Sequence, residues 1–90
     1  MNNKEINQAV ELLLDSIENK FLYTDSDYVI FDLEDIESVM ENDKNIYNYQ
    51  EIYRILIYHL LKNKYSIYEE YFPYKGDFKS IPSGQLAILR

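Results

Sequence analysis

The 90-residue chain has no cysteine and no tryptophan, only two glycines and two prolines, and a single histidine. Without cysteine there is no disulfide framework, no thiolate nucleophile and no cysteine-ligated zinc. The two glycines, Gly76 and Gly84, cannot build a glycine-rich phosphate loop, and the six serines show no nucleophile-elbow pattern. His59 lacks the partners that a zinc site or a general base requires, and its place on an apolar helix arc reads as a satisfied core or boundary residue. A calcium loop starting at Asp25 would need an oxygen ligand, a glycine and a glutamate where the chain has Val29, Ile30 and Ile36. No catalytic residue, cofactor or metal site is therefore expected, and the chain reads as a non-enzyme. No apolar run approaches the ~18 residues of a membrane span. The polar start from Met1 to Asn7 leads into an amphipathic helix carrying Glu11, Asp15 and Glu18, which is not a signal peptide. These absences point to a soluble, cytoplasmic protein with no membrane partner.

What is present is a 47% apolar composition with a net charge of −7. That apolar content is ordinary for a folded chain despite the charge, and the length suits one compact domain, 1–90, with one core. The charge is unevenly spread. Residues 1–51 carry thirteen acids against Lys4, Lys20 and Lys44, whereas residues 52–90 carry six bases against Glu69, Glu70 and Asp77. The two halves thus offer different surfaces to different partners. Asn, Ile, Lys and Tyr make up 36 of the 90 residues. AT-rich codons encode these residues, an association with low-GC genomes and their phages or plasmids.

The stretch Tyr47 to Lys64 organises the rest. On a helix, Tyr49, Ile52, Tyr53, Ile55, Leu56, Ile57, Leu60 and Leu61 cover roughly two thirds of the circumference, leaving Glu51, Arg54, Tyr58 and Lys62 as a narrow polar strip. Such a helix is expected to be covered on several sides. Before it, Ile6, Ala9, Val10, Leu13, Leu14, Ile17 and Phe21 form one stripe on a helix from Glu5 to Leu22, capped by Asn2 or Asn3. Leu12 lies off that stripe and reads as an isolated exposed leucine. Thr24 to Asp27 form a turn, Tyr28 to Phe31 a short strand, and Asp32 caps a helix from about Leu33 to Asn42. Ile46 and Tyr47 should anchor the following turn to the core, and Asn63 and Lys64 suit the end of the central helix, because asparagine tolerates the left-handed conformation and lysine complements the negative end of the dipole. Tyr65 to Tyr71 read as a strand, with a continuing helix as the alternative. Phe72 to Gly84 hold both prolines and both glycines and read as a loop or hairpin arm, and Gln85 to Arg90 read as a final strand.

The fold class expected is α+β: three helices with a small antiparallel sheet, in the order helix, strand, helix, helix, strand, arm, strand. That order and length resemble a winged-helix domain, in which the first strand and the last two form a sheet beside three helices. A mostly α-helical bundle is the alternative.

Two constellations are candidate partner surfaces. The first is acidic: Asp32, Glu34, Asp35, Glu37, Glu41 and Asp43, with Glu34, Glu37 and Glu41 within one helical arc of ~60°. Like charges at that spacing oppose helix formation, so folding does not require them. They suit a protein partner with a basic surface, such as a groove that normally holds nucleic acid. The second is aromatic and basic: Arg54, Tyr58 and Lys62 on the central helix, with Tyr74, Lys75 and Lys79 on the arm. The function expected is a small acidic protein-binding module that inhibits or regulates a basic protein. As a class it is similar to phage anti-defence proteins, anti-CRISPR proteins among them, acting in the host cytoplasm. The alternative is a winged-helix DNA-binding regulator, in which Arg54, Lys62, Lys75 and Lys79 contact phosphates and a homodimer covers the apolar central helix.

Overall fold

In the computed structural model, residues 1–41, 43, 45–68 and 85–90 are described. They form α1 (Asn3–Leu22), β1 (Tyr28–Asp32), α2 (Glu34–Met40), α3 (Ile46–Lys62), β2 (Ser66–Tyr68) and β3 (Gln85–Leu89). The α+β class is as expected; of the stretch Tyr65 to Tyr71, Ser66–Tyr68 form a strand and not a continuing helix, and 69–71 lie outside the described residues. The arm from Phe72 to Gly84, with the wing it would supply, lies outside the described residues.

Each boundary has a local cause. Asn2 Oδ1 accepts the Glu5 N–H at 2.8 Å while Glu5 Oε1 accepts the Asn2 N–H at 3.2 Å, a reciprocal capping box that opens α1. Asp32 Oδ1 accepts the Glu34 N–H at 3.0 Å and opens α2. Asn45 Oδ1 accepts the Tyr47 N–H at 2.8 Å and opens α3. Tyr47 is therefore a first-turn helix residue, and at 76% exposure it does not anchor the turn; the buried tyrosine is Tyr49.

The end of α3 also departs from the sequence expectation. Asn63 keeps φ at −86°, and its side-chain amide donates to the His59 carbonyl at 2.9 Å. It is Lys64 that takes the left-handed conformation, at φ 72°. The Tyr65 N–H then reaches the Leu60 carbonyl and the Lys64 N–H the Leu61 carbonyl, both at 3.0 Å. These are the two bonds of a Schellman motif. The turn brings Tyr65 against Phe21, with ring centroids 5.4 Å apart and planes 14° from parallel.

The sheet is antiparallel with order β1-β3-β2. Tyr28 pairs with Leu89 and Phe31 with Leu86, while Ile67 pairs with Ile88. Period two turns Val29, Phe31, Leu86 and Ile88 to the core, where all four are buried. Facing them are six buried residues of α1, namely Ile6, Ala9, Val10, Leu13, Ile17 and Phe21, and the pair Ile36 and Met40 of α2. Helix α3 contributes Tyr49, Ile52, Leu56 and Leu60, a single stripe at helical spacing. It is not covered all round: α1, α2 and β2 pack on it, but Leu61 remains 56% exposed and Ile55 and Ile57 only half-buried. The core is shared between α1 and α3.

Candidate interaction surfaces

Helix α2 carries Glu34, Asp35 and Glu37 in its first turn, where carboxylates complement the positive end of the helix dipole. Glu34 and Glu37 are exposed, while Asp35 and Asp32 are half-buried. Among the described residues, the ion pairs are Met1 with Asp43 and Arg54 with Glu51, so no base neutralises α2. Tyr49, buried behind α2, feels this charge. Burial raises its phenol well above the usual tyrosine value, and the Glu37 and Asp32 carboxylates push it further the same way.

Glu41 does not continue the helical stripe of Glu34 and Glu37. The helix stops at Met40, and the Asp43 N–H bonds the Met40 carbonyl at 3.1 Å across a tight turn. Within it Glu41 has φ 57° and ψ −114°, the first-corner geometry of a type II′ turn, which glycine normally occupies. A side chain there costs on the order of 1–3 kcal/mol. Glu41 also sits at the negative end of the α2 dipole, where a carboxylate is unfavourable. The expected arc of three glutamates is thus two on the helix and one beyond it.

Asp43 is held by its own chain. Its Oδ1 accepts the Asn45 N–H at 2.8 Å, and its Oδ2 accepts the Asn48 side-chain amide at 2.8 Å and the Met1 ammonium at 3.4 Å. The Asn45 bond, the Asn48 amide and the Met1 charge hold its carboxyl below the usual range. Asp43 thereby fixes the α2–α3 turn.

Glu41 overlooks a cleft of about 410 Å³ between α1 and the end of α2, with Ala9, Leu12, Val39 and Met40 among its lining residues and Glu5 and Asp43 at its sides. Leu12, read in the sequence as an isolated leucine, is 60% exposed on the wall of this cleft and of a shallower groove that runs to Tyr23. Its off-stripe position on α1 was the only sequence signal for this.

On the opposite half of the chain, Arg54, Tyr58 and Lys62 share one exposed strip of α3. Lys62 Nζ stands 6.0 Å from the centre of the Tyr58 ring, and Tyr58 meets His59 edge-on. Arg54 is already engaged: its Nε donates to Glu51 at 3.3 Å and its Nη2 makes a second bond to the same carboxylate. That contact lowers the Glu51 pKa and raises that of Arg54. Tyr74, Lys75 and Lys79 lie outside the described residues. Among the described residues no group of three or more acids or histidines is placed to hold a metal ion, and no helix is long and apolar enough to cross a membrane. Comparison with protein-family models, with curated proteins and with solved structures finds no match for this chain.

Proposed function

We propose that the chain is a non-enzymatic inhibitor or regulator that docks its acidic α2 face on a basic protein, in particular one whose groove holds nucleic acid. The observation that carries this reading is Glu41. It occupies a backbone conformation suited to glycine, at the wrong end of the helix dipole for its charge, and it lies beyond a helix whose exposed carboxylate pair, Glu34 and Glu37, no described base neutralises. Complementary charge of this kind speeds association and excludes an anionic competitor from the groove. Small size, net acidity and AT-rich coding are in keeping with phage anti-defence proteins, anti-CRISPR proteins included, at work in the host cytoplasm.

The test is capture from host lysate with the purified chain, elution by a salt gradient, and a parallel nuclease-treated sample. A protein that survives nuclease and elutes with rising salt is the expected result. Replacing Glu34, Glu37 and Glu41 with Gln should weaken its binding roughly ten-fold and flatten the salt dependence. Unchanged affinity overturns the proposal.

A winged-helix DNA-binding regulator is the second reading, favoured by the β1-β3-β2 sheet beside three helices and by the Arg54, Tyr58 and Lys62 strip. The ion pair between Arg54 and Glu51 weighs against it, since that guanidinium already has a carboxylate partner with which a phosphate would compete. Recovery of DNA alone, lost on nuclease treatment, together with retardation of a duplex at low salt, would favour this regulator.

A further inference from the structure

The cleft between α1 and α2 has two characters at once. Ala9, Leu12, Val39 and Met40 give it apolar surface, and its charged lining is mainly acidic, the Met1 ammonium there being paired with Asp43. Two of the rim carboxylates are committed within the chain: Glu5 to the Asn2 cap and Asp43 to Met1, Asn45 and Asn48. Glu41 has no side-chain partner among the described residues. A cavity of about 410 Å³ falls in the ~300–1,000 Å³ range of ligand pockets and exceeds what one side chain fills. Leu12 adds apolar surface that the α1 core stripe does not use.

We infer that this cleft receives a segment of the partner protein in which a lysine or arginine stands beside an apolar side chain. The apolar side chain and the methylene stem of the cation cover Leu12, Val39 and Met40, and the cationic head pairs with Glu41. The argument for a cation is charge complementarity. A neutral apolar occupant would bury Glu41 without compensation, and an anionic one would add like charge. This rests on the reading that the acidic face docks a basic protein, and it assigns the anchoring point and the local chemistry of that partner.

The experiment is an amide-resolved NMR titration of the full chain with three blocked peptides: alternating leucine and lysine, alternating serine and lysine, and alternating leucine and glutamate. The leucine–lysine peptide should shift Leu12, Val39 and Glu41 most. The serine–lysine peptide should bind more weakly and without that focus, and the leucine–glutamate peptide should leave the spectrum unchanged. Leu12→Ala should weaken the leucine–lysine peptide about five-fold, the loss expected for uncovering most of one leucine side chain. Glu41→Gln should weaken it comparably, and Leu22→Ala, at another exposed leucine of α1, should have no effect. Equal binding of the serine–lysine peptide, shifts centred on Glu34 and Glu37, or an unaffected Leu12→Ala variant would overturn the cleft assignment. The two readings separate on the captured protein: loss of binding in Glu34→Gln with Glu37→Gln but not in Leu12→Ala removes the cleft alone. Retention in both variants removes the acidic face as well.

Discussion

Lys20 closes the open edge of the sheet by donating from Nζ to the Ile30 carbonyl at 2.9 Å. The direction of that carbonyl follows from register. The Arg90 N–H bonds the Asp27 carbonyl at 3.0 Å, in line with the β1–β3 pairs. Antiparallel pairs alternate, so the backbone groups of Ile30 point away from β3, toward the side where β1 has no strand neighbour among the described residues. An unpaired strand edge templates pairing with another chain, and a lysine laid along it is a known defence. Replacing Lys20 with Met keeps an unbranched apolar side chain but frees the carbonyl and removes the Nζ that stands 5.9 Å from the centre of the Phe31 ring. We expect a loss of about 1–2 kcal/mol in urea unfolding and a rise in self-association by light scattering. A monomeric variant of unchanged stability would show that the contact does neither.

Among the described residues, the two non-glycine positions at positive φ, Glu41 and Lys64, separate strain from function. Lys64→Gly relieves a left-handed helix terminus and should stabilise the fold by about 1 kcal/mol without touching partner binding. Glu41→Gly relieves a less tolerated conformation and should stabilise at least as much, while weakening the partner. Stability gained and affinity lost in the same variant is the signature of a residue kept for binding. Thermal unfolding and binding measured on the same two variants check this.

The pH dependence of stability has two limbs. Asp43 is depressed by its Asn45, Asn48 and Met1 contacts. Its contribution is therefore present above the ordinary aspartate pKa and is lost as pH falls through and below ~4. Asp43→Asn should remove part of the acid limb. Tyr49 is raised by burial, with Glu37 and Asp32 adding to it. Its contribution is full below the ordinary tyrosine value of ~10 and is lost progressively as pH rises beyond it, because the unfolded phenol ionises first. Tyr49→Phe should flatten the alkaline limb in a denaturant series, and an unchanged slope would mean that this phenol does not control it.

The elements legible in the sequence were those with a single periodic signal. The α1 stripe from Ile6 to Phe21 matches its buried face, and the β-branched run at Tyr28 matches β1. Where two signals compete, pattern alone fails. In α3 the apolar arc is too wide to say which part faces inward, so Tyr47 passed for an anchor although the buried stripe runs through Tyr49, Ile52, Leu56 and Leu60. At its end, residue type favoured Asn63 for the left-handed position, but that side chain is used on the His59 carbonyl and the turn falls one residue later. The acids were legible as a set and not as individuals. Nothing local distinguishes Asp43, tied to Met1 and Asn48 from distant and near positions, from Glu41, which faces the cleft. The cleft itself joins α1 to the end of α2, a juxtaposition that no window of sequence contains.

The middle strand of the sheet, β3, follows in sequence both of the strands it joins: Tyr28 and Ser66 each pair with Leu89. Without residues 85–89, β1 and β2 lose the strand with which both pair among the described residues, and the Phe31 side of the core loses Leu86 and Ile88. The helices can associate early, because α1, α2 and α3 meet one another directly. Closure of the sheet is then a long-range step of high entropic cost. A chain lacking residues 85–89 would therefore hold a helical intermediate with an unsealed core, open to chaperones and proteases.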